Sequence, residues 1–104
     1  MSVIAKTTLR TYWTKHNGFE QLLKAWFKAA QEVYWKGIRD IKQEYSSVSF
    51  LSGNRVVFNM KGNQYRLIVR INFDYGIVWI RFIGTQSEYD KIEATKIQYK
   101  WNGR

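Results

Sequence analysis

Cysteine is absent from this sequence, and histidine occurs once, at His16. Without thiols there is no disulfide framework and no thiolate nucleophile. That usage fits a reducing cytoplasm, the expected location. One histidine and no cluster of carboxylates leave no set of ligands for zinc or calcium, so no metal or other cofactor is expected. A serine–histidine pair would have to use His16, which follows Lys15 at a predicted helix end, where a cation suits the helix dipole. No apolar run approaches the ~20 residues of a membrane span, and the N-terminus lacks a signal-peptide pattern. The sequence has no internal repeat and no low-complexity tract. Lys61, Gly62 and Asn63 lack Walker spacing and a following helix, so they are not a phosphate loop. A glycosidase-like carboxylate pair would need Glu88 with Asp90 or Glu93, but Glu88 is better used as a helix cap.

Acidic residues are scarce too. Eight Asp and Glu stand against seventeen Lys and Arg, for a net charge of +9. Residues 1–50 hold eight of the cations and residues 51–104 hold nine, with four acids in each part. The charge therefore belongs to a folded surface rather than a tail. Such a field favours a polyanion, nucleic acid first and acidic lipid second, and also suits an acidic protein. Aromatics make up 17% of the chain, with five Trp. Most of them must be core in a chain of this size, though some could stack on bases. At 104 residues the chain, 1–104, is expected to be one domain with one core.

The organising stretch is residues 54–93. Three strands are expected at 55–61, 65–73 and 77–83, joined by short turns that contain Gly62 and Gly76. The run is rich in Val, Ile, Phe, Tyr and Trp, which suit a pleated surface. Side chains at i and i+2 share a face. Tyr65, Leu67, Val69, Ile71 and Phe73 form one apolar face, opposite Arg66, Ile68, Arg70 and Asn72. Val56, Phe58 and Met60 oppose Arg55, Val57, Asn59 and Lys61. Val78, Ile80 and Phe82 oppose Ile77, Trp79, Arg81 and Ile83. The pattern implies a sheet with one greasy face and one arginine-bearing face. Keeping a face wet needs polar residues but not arginines in particular.

Upstream, residues 2–5 could be an edge strand. Thr7 or Thr8 can cap a helix to about His16, with Leu9, Tyr12 and Trp13 on one side and Asn17 and Gly18 ending it. A second helix is expected over 19–34. Its stripe of Phe19, Leu22, Leu23, Trp26, Phe27, Ala30 and Val33 should lie on the apolar sheet face. Gly37 breaks the pattern, and residues 40–45 read as a helical turn or two with Ile38 and Ile41 inward. Residues 45–54 read as a Ser-rich loop whose Phe50 and Leu51 plug into the core. Downstream, Thr85, Gln86, Ser87 and Glu88 form a capping box for a helix to about Ala94. Residues 95–104 alternate weakly and could add a strand.

Arg66, Arg70, Arg81 and Lys61 are expected to gather near Gln86 and Tyr89, because the third strand runs directly into the capping box. Phosphodiester cleavage needs guanidiniums to stabilise charge on the phosphate and a base to activate the attacking hydroxyl. RNA supplies its own nucleophile, the 2′-hydroxyl. A tyrosine or lysine base would need its pKa lowered by the arginines. On residues alone, an RNA binder ranks above a ribonuclease.

The chain resembles the HigB family of type II toxin–antitoxin toxins, within the RelE-like superfamily, from about Ile4 to Ala94. The matching residues are Thr8, Leu9 and Arg10 with Trp13, Lys15 and His16; Leu23 to Trp26; Trp35, Asp40, Ile41 and Lys42; Ser49 to Leu51; Asn54 to Asn59; Lys61 to Asn63 with Tyr65 to Leu67; and Arg81 to Thr85 with Glu88 to Ile92. The resemblance implies an α+β, RelE-like fold: two N-terminal helices packed on a small, mainly antiparallel sheet with a short C-terminal helix. It implies a metal-independent endoribonuclease that cuts mRNA on the translating ribosome. Its implied partners are mRNA, the ribosome and a HigA-like helix-turn-helix antitoxin, with DNA reached only through the antitoxin and no membrane.

The roles expected are these. Arg66 and Arg81 hold the scissile phosphate, and Arg70 contributes from the same face. Lys61 contacts the backbone or assists as base, Tyr89 is the base or a stacking platform, and Gln86 orients the substrate. Arg55, Lys91 and Asn63 bind RNA. One position departs from the family: where its pattern usually reads T-H-x-E-Y-D, this chain has Gln86 in place of the histidine. Glutamine can bond a phosphate or base but cannot carry a proton near neutral pH. Three readings follow: Tyr89 or Lys91 transfers the proton while Gln86 positions, the protein is a weakened toxin, or the histidine was replaced so that the protein could be produced. The first is favoured, since RelE-like sites as a group do not depend on one fixed histidine.

Overall fold

The computed structural model describes residues 1–4, 6–15, 17–60, 64–92 and 94. The elements run β1 (Ser2–Ile4), α1 (Lys6–Lys15), α2 (Asn17–Glu32), α3 (Ile38–Glu44), β2 (Val48–Leu51), β3 (Arg55–Met60), β4 (Tyr65–Asn72), β5 (Ile77–Thr85) and α4 (Gln86–Tyr89). The five strands form one mixed sheet in the order β1-β5-β4-β3-β2. Only β1 is parallel to its neighbour, β5, and the other pairings are antiparallel. The fold is α+β, with helices α1, α2 and the short α3, where a helical turn or two was expected, before the second strand.

The amphipathic stripe of α2 does what its spacing predicts. Phe19, Leu23, Trp26, Phe27 and Ala30 are buried together with Leu9 of α1 and with Val56, Phe58, Leu67, Val69, Ile71, Val78 and Ile80 of the sheet. Leu22 is the exception, 41% exposed. Aromatic rings fill the centre. Phe58 packs edge-on to Trp26 at 5.4 Å and to Tyr45 at 5.1 Å, and lies tilted against Trp35 at 6.2 Å. Phe19 stacks on Tyr65 at 4.0 Å. The C-terminal carbonyls of α2 have no partner within the helix. The Met1 ammonium donates to those of Ala30 and Gln31 at 2.9 and 3.0 Å, and to the Val33 carbonyl at 2.7 Å. Beyond it, the Tyr34 hydroxyl donates to the carbonyls of Phe73 and Asp74 in the β4–β5 turn.

Several expectations are corrected. Helix α1 starts before Thr7 and Thr8, which therefore lie inside it, and α2 starts at Asn17 instead of after a break. Ile41 is buried, but Ile38, the first residue of α3, is 51% exposed. The expected serine-rich loop contains β2, which pairs with β3 and places Phe50 against the core. Leu51, opposite Arg55, alternates onto the other face. Helix α4 is a single turn and does not reach Ala94. The expected strand over 95–104 lies outside the described residues, as do His16 and the turn at 61–63.

The largest correction is in β5. Ile80 pairs with Val69 but Phe82 pairs with Ile68, so Arg81 is an extra residue in a β-bulge. The alternation resets there. Ile83, not Phe82, joins the core, while Phe82 shares the outer face with Ile68.

Two outcomes test this packing. Phe58→Ala should lower the unfolding free energy by about 3–5 kcal/mol in urea titrations, since it opens a cavity among three rings. The Tyr45 phenol is pushed up to about 12, chiefly by burial and secondly by the Glu44 carboxylate. The unfolded chain then loses this proton first, from about pH 10 upward. The contribution is complete below that range and is lost as pH rises toward 12. Denaturation curves across that interval should fall less steeply for Tyr45→Phe than for the parent.

Candidate functional site

The sheet face away from the helices carries the cations. Arg66 and Arg70 alternate with Leu67, Val69 and Ile71 on β4, and only the apolar set joins the helix-side core. Arg66 lies opposite Gly84. A Cβ at Gly84 would meet the Glu88 carboxylate at 2.7 Å and the Phe82 ring at 2.7 Å. The absent side chain is what lets α4 fold down beside Arg66.

Helix α4 is held by its cap. The Thr85 N–H donates to Glu88 Oε1 at 2.7 Å, and the Glu88 N–H donates to Thr85 Oγ1 at 3.2 Å. This is the capping box read from the sequence. The Gln86 N–H then donates to the Gln64 carbonyl at 3.0 Å, continuing the β4–β5 ladder into the helix. Tyr89 is half-buried, and the Arg66 guanidinium lies 5.6 Å from its ring centroid. That is cation–π distance. Gln86 and Lys91 are exposed nearby in the chain.

The other arginines gather elsewhere on the same face. Arg81, on the bulge, has its guanidinium 5.9 Å from the Trp79 ring, and Arg70 lies 5.7 Å from the same ring. Burial and the neighbouring Arg70 charge lower the Arg81 pKa. Arg55 is lowered by burial, then by Arg81 and Arg70. Guanidinium pKa values start so high that Arg55 and Arg81 stay charged at neutral pH. Among the described residues no carboxylate lies within ion-pair distance of Arg70 or Arg81, and Arg81 Nε is buried without a hydrogen-bond partner. A small cleft of about 230 Å³ beside Arg70 and Trp79 is edged by Asn54, Asn72 and Asp74.

The expected convergence is thus partial. Arg66 and Tyr89 meet at one end of the face, and Gln86 stands three residues before Tyr89 at the start of α4. Arg81 is separated from them by the Ile68–Phe82 pair, roughly 10 Å of strand at about 3.3 Å per residue. Arg70 and Arg81 belong with Trp79. Arg55 was expected on the solvated basic face, but it is only 7% exposed and donates to the Ala94 carbonyl at 3.0 Å. The Ala94 carbonyl thus lies against Arg55 of β3, and Val57 and Ile68 on that face are buried. Lys61 and Asn63 lie outside the described residues. Trp79 was not singled out from the sequence, yet its alternation with Arg81 onto the basic face was visible there. Among the described residues no group of three or more potential metal ligands occurs, and no helix is long and apolar enough to cross a membrane.

A mixed five-stranded sheet with helices on one face and guanidiniums on the other fits the RelE-like toxic components of toxin–antitoxin systems, and the family model of that description matches residues 19–92. The chain belongs to this family, the HigB toxins. The match spans α2 through α4 and so includes Arg66, Arg81, Gln86 and Tyr89. No curated protein matches the chain.

Gly84→Ala tests the local geometry. The new methyl group should displace the Glu88 carboxylate from its cap, at a cost of about 1–2 kcal/mol in thermal or urea unfolding. Part of that cost should vanish when Glu88 is already Ala, because the two substitutions act on one contact.

Proposed function

We propose that this toxin is a metal-independent endoribonuclease that cuts mRNA on the translating ribosome and so arrests growth. The observation that carries this reading is the Arg66 guanidinium held over the Tyr89 ring at 5.6 Å, beside the exposed Gln86. The RNA 2′-oxygen attacks the adjacent phosphorus, and the bond from phosphorus to the 5′-oxygen breaks. The departing 5′-oxygen takes a proton from solvent, to which the 2′ proton is finally returned, so a 2′,3′-cyclic phosphate and a 5′-hydroxyl result with no net water and no enzyme nucleophile consumed. Arg66 stabilises the charge that grows on the phosphoryl oxygens. Tyr89 takes the 2′ proton, with Lys61 assisting, and Gln86 holds the phosphate or a base edge by hydrogen bonds. Arg81 and Arg70 hold the strand beyond the scissile linkage, with Asn63 and Lys91 on the flanks. Arg55 supports the face from beneath Ala94.

Ribosomal action places the protein in the cytoplasm. A toxin–antitoxin toxin implies an antitoxin, and the reading assigns a HigA-like helix-turn-helix protein, with DNA contacted only through it. Gln86 favours a second reading, a binder that occupies RNA or the ribosome with little or no cleavage, because an amide cannot relay a proton.

Inducing the protein in a bacterial host and mapping message 5′ ends separates the two. Cleavage predicts new, codon-phased ends during arrest, reduced about 100-fold or more by Arg66→Ala. Arrest without new ends supports binding alone. Gln86→His should raise the cleavage rate by up to about 100-fold if the missing proton carrier limits the reaction. An unchanged rate would show that the proton moves through another group.

A further inference from the structure

Beyond the Arg66–Tyr89 centre, the end of the basic face where Arg70 and Arg81 hold the strand also carries an aromatic ring with no assigned role. There two guanidiniums lie close to one indole, Arg70 at 5.7 Å and Arg81 at 5.9 Å from the Trp79 ring centroid. Arg70 is exposed and Trp79 is half-buried at the rim of the cleft. The cleft edge carries complementary polar groups. Asn72 Oδ1 accepts from the Tyr75 N–H at 3.0 Å, which leaves its amide NH₂ to donate. Asn54, held at φ +59, and Asp74 add further groups. A folded protein does not need two like charges on one aromatic ring, and each raises the cost of the other. An anion arriving between them relieves that cost.

We infer that Trp79, flanked by Arg70 and Arg81 above the Asn54–Asn72 cleft, is a stacking platform for one unpaired base of a single-stranded RNA, forming a subsite separate from the Arg66–Tyr89 centre. The inference rests on the reading of RNA as substrate, and it names a residue that fixes where the strand lies. The half-buried indole offers a ring that any base can stack on, with the Arg70 charge 5.7 Å from its centroid. The guanidiniums of Arg70 and Arg81, both beside Trp79, take the adjoining phosphate. The Asn72 amide and the Asp74 carboxylate meet the base edge as donor and acceptor. The separation from Arg66, roughly 10 Å of strand, places this base beyond the scissile linkage rather than at it. Because stacking needs a splayed base, single strands should bind and duplexes of equal length should bind less.

The test uses short single-stranded oligoribonucleotides, 2′-O-methylated throughout so that they cannot be cut, titrated against the purified full chain at low salt by fluorescence anisotropy. Trp79→Ala should weaken binding about tenfold, and Trp79→Phe should restore most of it. An abasic nucleotide at one position should weaken the parent protein by a similar factor and leave Trp79→Ala unaffected. Equal binding by a folded Trp79→Ala, no abasic position coupled to Trp79, or no binding of any single strand by the parent would each overturn the inference. If Trp79→Ala fails to fold, the exposed Arg70→Gln takes its place: loss of sensitivity to the same abasic position supports the subsite, and undiminished sensitivity overturns it. Coupled binding in a protein that produces no new message ends would retain the subsite and remove the nuclease reading.

Discussion

Arg81 occupies the one place where β5 holds a residue that β4 cannot pair. In a regular strand Arg81 and Phe82 would project to opposite faces. At the bulge they share the outer face, and Ile83 turns inward in place of Phe82. The rest of the face follows from this reset. Phe82 is brought beside Ile68 and over Gly84, forming an apolar divider between two cationic regions. Gly84 is brought opposite Arg66, where only hydrogen fits below the Glu88 carboxylate. Without the extra residue the strand would present Ile83 at the outer surface and bury Phe82 among residues already packed to contact.

The cations are tolerated because the opposite face is so well buried. Hydrophobic burial is nearly indifferent to what the far side of a sheet carries, provided it does not need to be buried as well. Yet part of this far side is covered. Arg55 lies under the Ala94 carbonyl, and Val57 and Ile68 are fully buried beside it. Burying a charge near Arg70 and Arg81 disfavours that charge on two counts, loss of water and like-charge repulsion.

Much of this was legible in the residues. The i, i+3, i+4 stripe of α2 named its buried face, with Leu22 the lone miss. Alternation in β4 placed Arg66 and Arg70 together, and four residues, Thr85 to Glu88, announced the cap. The bulge was not legible, because an insertion of one residue leaves no mark in a strand that is apolar on both sides: Phe82 and Ile83 satisfy either face equally. For the same reason β2 was hidden. Val48 and Phe50 alternate with serine, a short pattern that an edge strand and a loop share. Arg55 was misplaced because alternation gives the face but not what later chain crosses it. The division of the arginines between Tyr89 and Trp79 depends on that bulge and so could not be read in advance.

The Arg66–Tyr89 end of the face rests on an element that could not exist alone. Four residues cannot nucleate a helix in water, since fixing the first turn costs more than one hydrogen bond returns. Helix α4 persists because its environment supplies what its length does not. Thr85 and Glu88 satisfy each other's backbone donors, and the Gln86 N–H is taken up by Gln64 as though the helix were a further rung of the sheet. Gly84 withdraws its side chain so that the carboxylate can reach. Tyr89 therefore inherits its position from β4 and β5, the strands that also carry Arg66 and Arg81. A phenol and guanidiniums set by one sheet need little reorganisation when a phosphate enters, and that fixed geometry, more than the identity of any single proton carrier, is what this face offers in place of the missing histidine.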